Sequence, residues 1–307
     1  MTVFLVLEQA LNGLQYGVTL FLMAAGLTLV FGIMNLVNLA HGSLYMVGAY
    51  LATTFYQWTG SFLGGVALAL LVTLLAGIAL EMVALRTLYE RDHLDQVLAT
   101  FGLILFFNEL VAILWGRSAL YTSLPPWLSG HIPVLPGVRY PLYRALVIVV
   151  GLAVAALLWA LVARTRLGML IRAGASNRAM VAALGVNIRL LYTLVFGIGA
   201  ALAGLAGLMA GPIYAVQPGM GEQILIQVFV VIVIGGIGSI RGALVGAIIV
   251  GMVDTLGRAF LKPALATILS PSAADSAGPA LASMLIYLLM AGVLLFRPQG
   301  LFPVRIR

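Results

Sequence analysis

The sequence predicts an all-α, polytopic membrane protein with roughly eight to ten transmembrane or partly spanning helices, at least one of them broken at glycine. Three observations predict it. Of 307 residues, 63% are apolar and only 8% are Asp, Glu, Lys or Arg, whereas soluble domains carry roughly 25% charged residues. Gln9 to Leu80 is a run of 72 residues with none of those four types, and a bilayer-crossing helix needs about 20 apolar residues. Charged or proline-rich stretches then divide the rest of the chain into further apolar runs. This composition excludes a soluble enzyme, a nucleic-acid binder and a disordered tail. The net charge of +7 reads as a topological signal, because excess Arg marks cytoplasmic loops. With zero cysteines, disulfides and thiol-ligated metals are excluded as well.

The first run, 9–33, is too long for a signal-peptide core and has no basic n-region, since Glu8 is the only early charge; it reads as a retained helix. Runs 40–58, 62–84 and 94–116 follow. Segment 117–144 holds Arg117, Arg139 and Arg144 with Pro125, Pro126, Pro133, Pro136 and Pro141, so it reads as an extramembrane loop. Beyond it come 145–163, a basic stretch at 164–189, and the runs 190–211, 223–240 and 242–260. Segment 261–279, with Pro263, Pro271 and Pro279, reads as a second loop before the last run, 280–296. The whole chain, 1–307, is taken as one transmembrane domain.

Orientation follows from arginine. Arg164, Arg166, Arg172, Arg178 and Arg189 lie in 164–189 without an acidic residue, and Arg297, Arg305 and Arg307 follow the last run. Both regions are expected in the cytoplasm, which places 117–144 and the N-terminus outside. A single span over 223–260 would leave the basic tail outside. Dividing it at Gly235-Gly236-Ile237-Gly238-Ser239-Ile240-Arg241-Gly242 restores the parity and puts Arg241 inside. Glycine accepts the backbone angles such a break demands. The count is then nine crossings or near-crossings.

Chemistry-bearing residues are few. The only lysine, Lys262, stands between Leu261 and Pro263, so no P-loop Gly-Lys-[Ser/Thr] exists to hold ATP phosphates. His41, His93 and His131 are too scattered for a metal site, and no catalytic residue or bound cofactor is expected. Intramembrane charges are functional candidates by default. Here Glu81, Glu109, Asp254 and Arg258 lie toward span ends, where snorkelling removes most of the cost. Two polar interruptions stand out as a substrate path: Asn35, Asn38, His41, Gly42 and Ser43 between the first two runs, and Gly235, Gly236, Gly238 and Ser239 at the break. Discontinuous helices commonly form transport sites, and a helix N-terminus favours a carboxylate. A capped turn and close helix packing explain the same residues equally well. In 164–189, Ser176 or Asn177 can cap a short helix through Leu184, ended by Gly185. Met180, Val181 and Leu184 form an apolar stripe beside Arg172 and Arg178. Such a helix lies on the membrane surface or docks on a partner.

Four blocks resemble the permeases of branched-chain amino-acid ABC importers and come in that family's order. They are Asn35–Gly42 with Tyr45–Tyr50; Arg164–Gly168, Arg172-Ala173 and Ala183–Asn187; Gly235–Ser239 with Gly242-Ala243; and Pro298–Phe302. The short N-terminus and loop order are similar to the LivH-type subunit. The resemblance implies a bacterial inner-membrane permease paired with a second, LivM-type permease. Two cytoplasmic ATPase subunits would bind the ATP, and a periplasmic binding protein would deliver the substrate. It also implies that Arg172, Ser176, Asn177, Arg178, Met180, Val181, Leu184 and Gly185 dock on the ATPases. Family members often carry an acidic residue and a small Ala where Ala179 and Val181 stand here. The apolar pathway suits a branched-chain or other hydrophobic amino acid. Urea, short amides or aromatic acids on the same machinery are the alternative, and an ion-coupled secondary carrier is the rival of a different class.

Overall fold

The computed structural model describes residues 2–135 and 138–303. Nine long helices account for the predicted runs: α1 (Thr2–Met34), α2 (His41–Thr59), α3 (Phe62–Val83), α4 (His93–Trp115), α5 (Leu142–Arg164), α8 (Ile188–Ala210), α9 (Met220–Gly235), α10 (Ile240–Leu265) and α11 (Pro271–Phe296). Two short ones, α6 (Arg166–Ser176) and α7 (Arg178–Ala183), fill the basic stretch. Seven are long and apolar enough to cross a membrane. Side-chain caps set many of the starts. Ser61, Thr165, Asn177, Asn187, Ser239 and Ser270 each accept a hydrogen bond from the backbone N–H three residues on, satisfying a donor the helix leaves free.

Lipid is as apolar as leucine, so helices associate through close packing of small residues. α1 and α8 form the buried centre, while α4, α5 and α11 keep most of their surface outward. α1 crosses α10 where Gly13 and Gly17 meet Ala247 and Gly251, with backbone on backbone: a Cβ on Gly251 would sit 2.4 Å from the Gly17 nitrogen. α2 meets α8 in the same way through Gly48 against Gly204 and Gly207 against Tyr45.

The helices alternate in direction and sort their connections to two ends. At one end the Leu120–Val216 bridge joins segment 116–141 to segment 211–219, while the start of α5 is tied to α1 by the Arg144–Asn12 hydrogen bond of 2.6 Å and to the end of α8 by the Tyr143 hydroxyl on the Met209 carbonyl. At the other, Tyr192 donates to the Ile33 carbonyl, the Val37 N–H to Gln96, and Gly32 lies beside Gly238. α6, the break and the tail from Arg297 belong to this second end; Arg305 and Arg307 lie outside the described residues.

Several boundaries differ from the sequence expectation. α1 begins seven residues early, at Thr2. Segment 117–144 is free of α-helix only to Pro141; it makes one 3₁₀ turn at Pro126–Leu128 and then an antiparallel hairpin of β1 (His131–Leu135) and β2 (Val138–Pro141), and Pro136 lies outside the described residues. The loop expected at 261–279 shrinks to 266–270. Pro271 takes the first-turn position that a missing N–H does not disturb. Pro263 and Pro279 are carried inside helices because α10 and α11 pack there, Gly278 lying on the Lys262 backbone and Asp275 pairing with Lys262 at 2.8 Å. The break is a full reversal: α9 and α10 run antiparallel, with Gly235 on Gly242 and Gly246 on Val231.

Candidate functional site

The first polar interruption begins where α1 ends. Asn35 adopts a φ of 51° and is exposed, and 35–40 then runs back along α1. A Cβ on Gly26 would sit 2.9 Å from the His41 Nε2. Gly26 is eight residues before Met34, so at 1.5 Å per residue α2 starts about 12 Å inside the end of α1. Asn38 and His41 are fully buried at this interior helix start, and Ser43 with them; the polar side-chain atoms of Asn38 and His41 have no well-formed hydrogen bond within the chain. Gly42 touches Gly221 of α9 backbone to backbone, so the first turns of α2 and α9 meet within the bundle.

The second interruption sits at the opposite end of α9. Gly236 and Gly238 take φ values of 102° and 81°, and Ser239 caps α10. The tail closes over this turn: the N–H groups of Leu301 and Phe302 donate to the Ile234 and Gly235 carbonyls at 2.8 and 2.9 Å, two acceptors that a helix end leaves free. Two of the resembling blocks, far apart in sequence, are therefore one contact.

A cavity of about 810 Å³ opens near the end opposite this turn. α1 lines it with Gln9, Asn12, Gln15 and Tyr16, α9 with Gln223 and Gln227, α10 with Asp254 and Arg258, and the connection after α8 with Tyr214 and Gln217. None of the nine residues expected on the path borders it; Tyr45, one turn beyond His41, does. Its lining is amide-rich, with Tyr16 hydrogen-bonded to Gln227 and Gln15 to Thr19. Uncharged amides leave a hydropathy run unbroken, which is why charge counting passed over them. Their spacing was available: Gln9, Asn12 and Tyr16 recur at three and four residues, one face of a helix.

The chain matches a family described as the permease component of branched-chain amino acid transport systems over residues 9–294. The chain belongs to this family. The permease is 32% identical to the high-affinity branched-chain amino acid transport system permease protein BraD of Pseudomonas aeruginosa over 96% of its own length and 95% of that chain. It is 32% identical to LivH of Escherichia coli K12, covering 83% and 87%, and 27% identical to a probable LivH of Methanocaldococcus jannaschii, covering 82% and 81%. No solved structure matches.

At the end away from the cavity, the permease folds its basic stretch into two helices where one was expected. Ser176 closes α6, and Asn177 alone caps α7 by accepting from the Met180 N–H at 3.0 Å. Val186 and Gly185 donate to the Val181 and Ala182 carbonyls, with Gly185 at a φ of 85°, a Schellman ending. The apolar stripe divides: Val181 is buried while Met180 and Leu184 are 63% and 75% exposed. Arg172 donates to the Val162 carbonyl, which ties α6 to α5, and Arg178 remains outward beside Met180.

The intramembrane charges prove to be paired. Glu81 is fully buried, accepting from Arg86 at 3.2 and 3.3 Å, from Thr193 at 2.7 Å and from Tyr89. It does not snorkel. Burial and the Glu81 carboxylate hold the Tyr89 phenol far above its ordinary range, so it stays a donor. Glu109 does reach the rim, where it pairs with Arg117 at 2.8 Å. Glu222, missed because its run was started one residue later, sits in the first turn of α9 and accepts from Asn108.

Proposed function

We propose that this permease is the LivH-type transmembrane subunit of an ATP-driven importer that passes branched-chain amino acids from a periplasmic binding protein to the cytoplasm. The observation that carries the reading is the separation of two features at opposite ends of one bundle: an amide-lined cavity at one, an exposed basic helix pair at the other. The positive-inside bias puts α6 and α7, with Arg164, Arg166, Arg172, Arg178 and Arg189, in the cytoplasm. The cavity then faces the periplasm, where a binding protein releases its load. Arg297 and the basic C-terminus lie inside by the same rule.

The energy comes from other chains. With no P-loop in the sequence, ATP is bound and hydrolysed by two cytoplasmic ATPase subunits that seat against α7, and the permease is itself neither an enzyme nor a cofactor carrier. Exposed Met180 and Leu184 supply the apolar contact, and Arg178 the charge. A second, LivM-type permease completes the membrane pair. The names of the relatives favour branched-chain amino acids over urea, short amides or aromatic acids, and Asp254 and Glu81 both have internal partners, which disfavours a proton-coupled carrier.

The test is to purify the tagged permease from its native membrane in mild detergent and identify its companions by mass spectrometry. Two P-loop ATPases and a second permease are expected. A lone chain that accumulates leucine under an ion gradient after reconstitution overturns the reading.

A further inference from the structure

The cavity holds an ion pair that an uncharged solute would not need. Asp254, on α10, is 5% exposed, and Arg258, one turn on, grips both its oxygens: Nε to Oδ2 and Nη2 to Oδ1, each 2.9 Å. The Arg258 side chain is 54% exposed while that of Asp254 is 7% exposed. Both border the cavity. Arg144 of α5 enters the same space, where it donates to Asn12 at 2.6 Å. The buried carboxylate is thus fixed on the wall, and its cation sits on the open side and can swing away. Ile213, Met220 and Ile224 provide apolar wall in the same cavity.

A ligand matching this arrangement carries one ammonium, one carboxylate and a small apolar group. We infer that Asp254 and Arg258 form a head-group subsite for a zwitterionic amino acid in passage, the ammonium replacing Arg258 on Asp254 and the carboxylate taking the freed Arg258 together with Arg144. This rests on the importer reading above. The Asp254 carboxylate keeps a cation beside it throughout, because the zwitterion exchanges one ion pair for two. A carboxylate buried in the wall without a cation would be strongly disfavoured, so Arg258 returns as the substrate leaves.

The test uses the complete complex in proteoliposomes, with leucine-loaded binding protein at saturation, and reads the maximal rate of ATP-driven leucine uptake. Charge-assisted hydrogen bonds of this kind correspond to a loss of about 10- to 100-fold when removed. Asp254→Asn, Arg258→Gln and the double variant are each expected to fall by that amount, with Asp254→Glu recovering part of the rate. The double variant separates a substrate role from a structural one. Removing both members of a structural pair leaves no buried charge stranded and is close to neutral, so uptake within about threefold of wild type in Asp254→Asn/Arg258→Gln overturns the subsite. Should the wild-type complex show no ATP-driven uptake, the importer reading itself falls and takes the proposal with it.

Discussion

Replacing Gly42 by alanine tests whether the meeting of two helix starts inside the bundle is a built contact. A Cβ on Gly42 would stand 2.4 Å from the Gly221 carbonyl oxygen and 2.9 Å from its carbon, and a Cβ on Gly221 would stand 2.2 Å from the Gly42 oxygen. Ordinary contact begins at 3.4 Å, and the obstacle is backbone, so no side chain can rotate aside. The first turns of α2 and α9 must separate by about 1 Å, which overpacking data place at about 1–3 kcal/mol. For a chain of this general size each kcal/mol moves the melting temperature by about 2–4 °C. The apparent melting temperature of purified permease, followed by tryptophan fluorescence at one fixed scan rate, should therefore drop by about 2–12 °C. Gly102→Ala on α4 is the matched control, since a Cβ there meets nothing within 4 Å, and it should melt with wild type. Gly221→Ala should resemble Gly42→Ala, and the double variant should lose less than the two losses added, because one widened gap serves both. If Gly42→Ala and Gly102→Ala melt together, the close approach is not a feature of the folded protein and the argument fails.

Three further outcomes are expected. Glu81→Gln strands the Arg86 guanidinium among Thr193 and Tyr89; because Arg86 is a third exposed, the loss should be about 2 kcal/mol, below that of a fully buried pair, and Arg86→Gln in the same background should restore part of it, as a thermal double-mutant cycle would show. Leu184→Asp, at a position 75% exposed, should abolish ATP-driven uptake while membrane insertion and melting stay as in wild type; normal uptake would remove α7 from the coupling role. Gly238→Leu forces a side chain onto a φ of 81° at the α9–α10 turn, and should cost about 1–2 kcal/mol and lower uptake. A fully active variant would leave that turn without a part in transport.

Legibility followed charge. The nine long helices, the basic stretch and the reversal at Gly235–Gly242 were all readable, because membrane helices are announced by absent charge and loops by Arg and Pro. Reading proline as a breaker misplaced 261–279, where packing of Gly278 on Lys262 overrode the local preference. The cavity was hidden for a related reason. Gln9, Gln15 and Gln227 are uncharged, and no periodicity within one helix says that a second helix will bring amides to the same face. Asp254 and Arg258 were seen as intramembrane charges, but their one-turn spacing reads equally as a snorkelling pair until the other cavity walls are known.

The amino-acid sequence by itself determined that this chain lives in a bilayer, where its apolar runs divide, which connections carry positive charge, and that it contains no P-loop. Each of these depends on local composition, measured against a solvent whose thickness and polarity are known in advance. Tertiary structure alone decided that α2 starts inside the bundle, that the tail caps the α9–α10 turn, and that amides from α1 and α9 line one cavity with Asp254. Those depend on distances between residues far apart in the chain, set by where glycine permits one backbone to touch another.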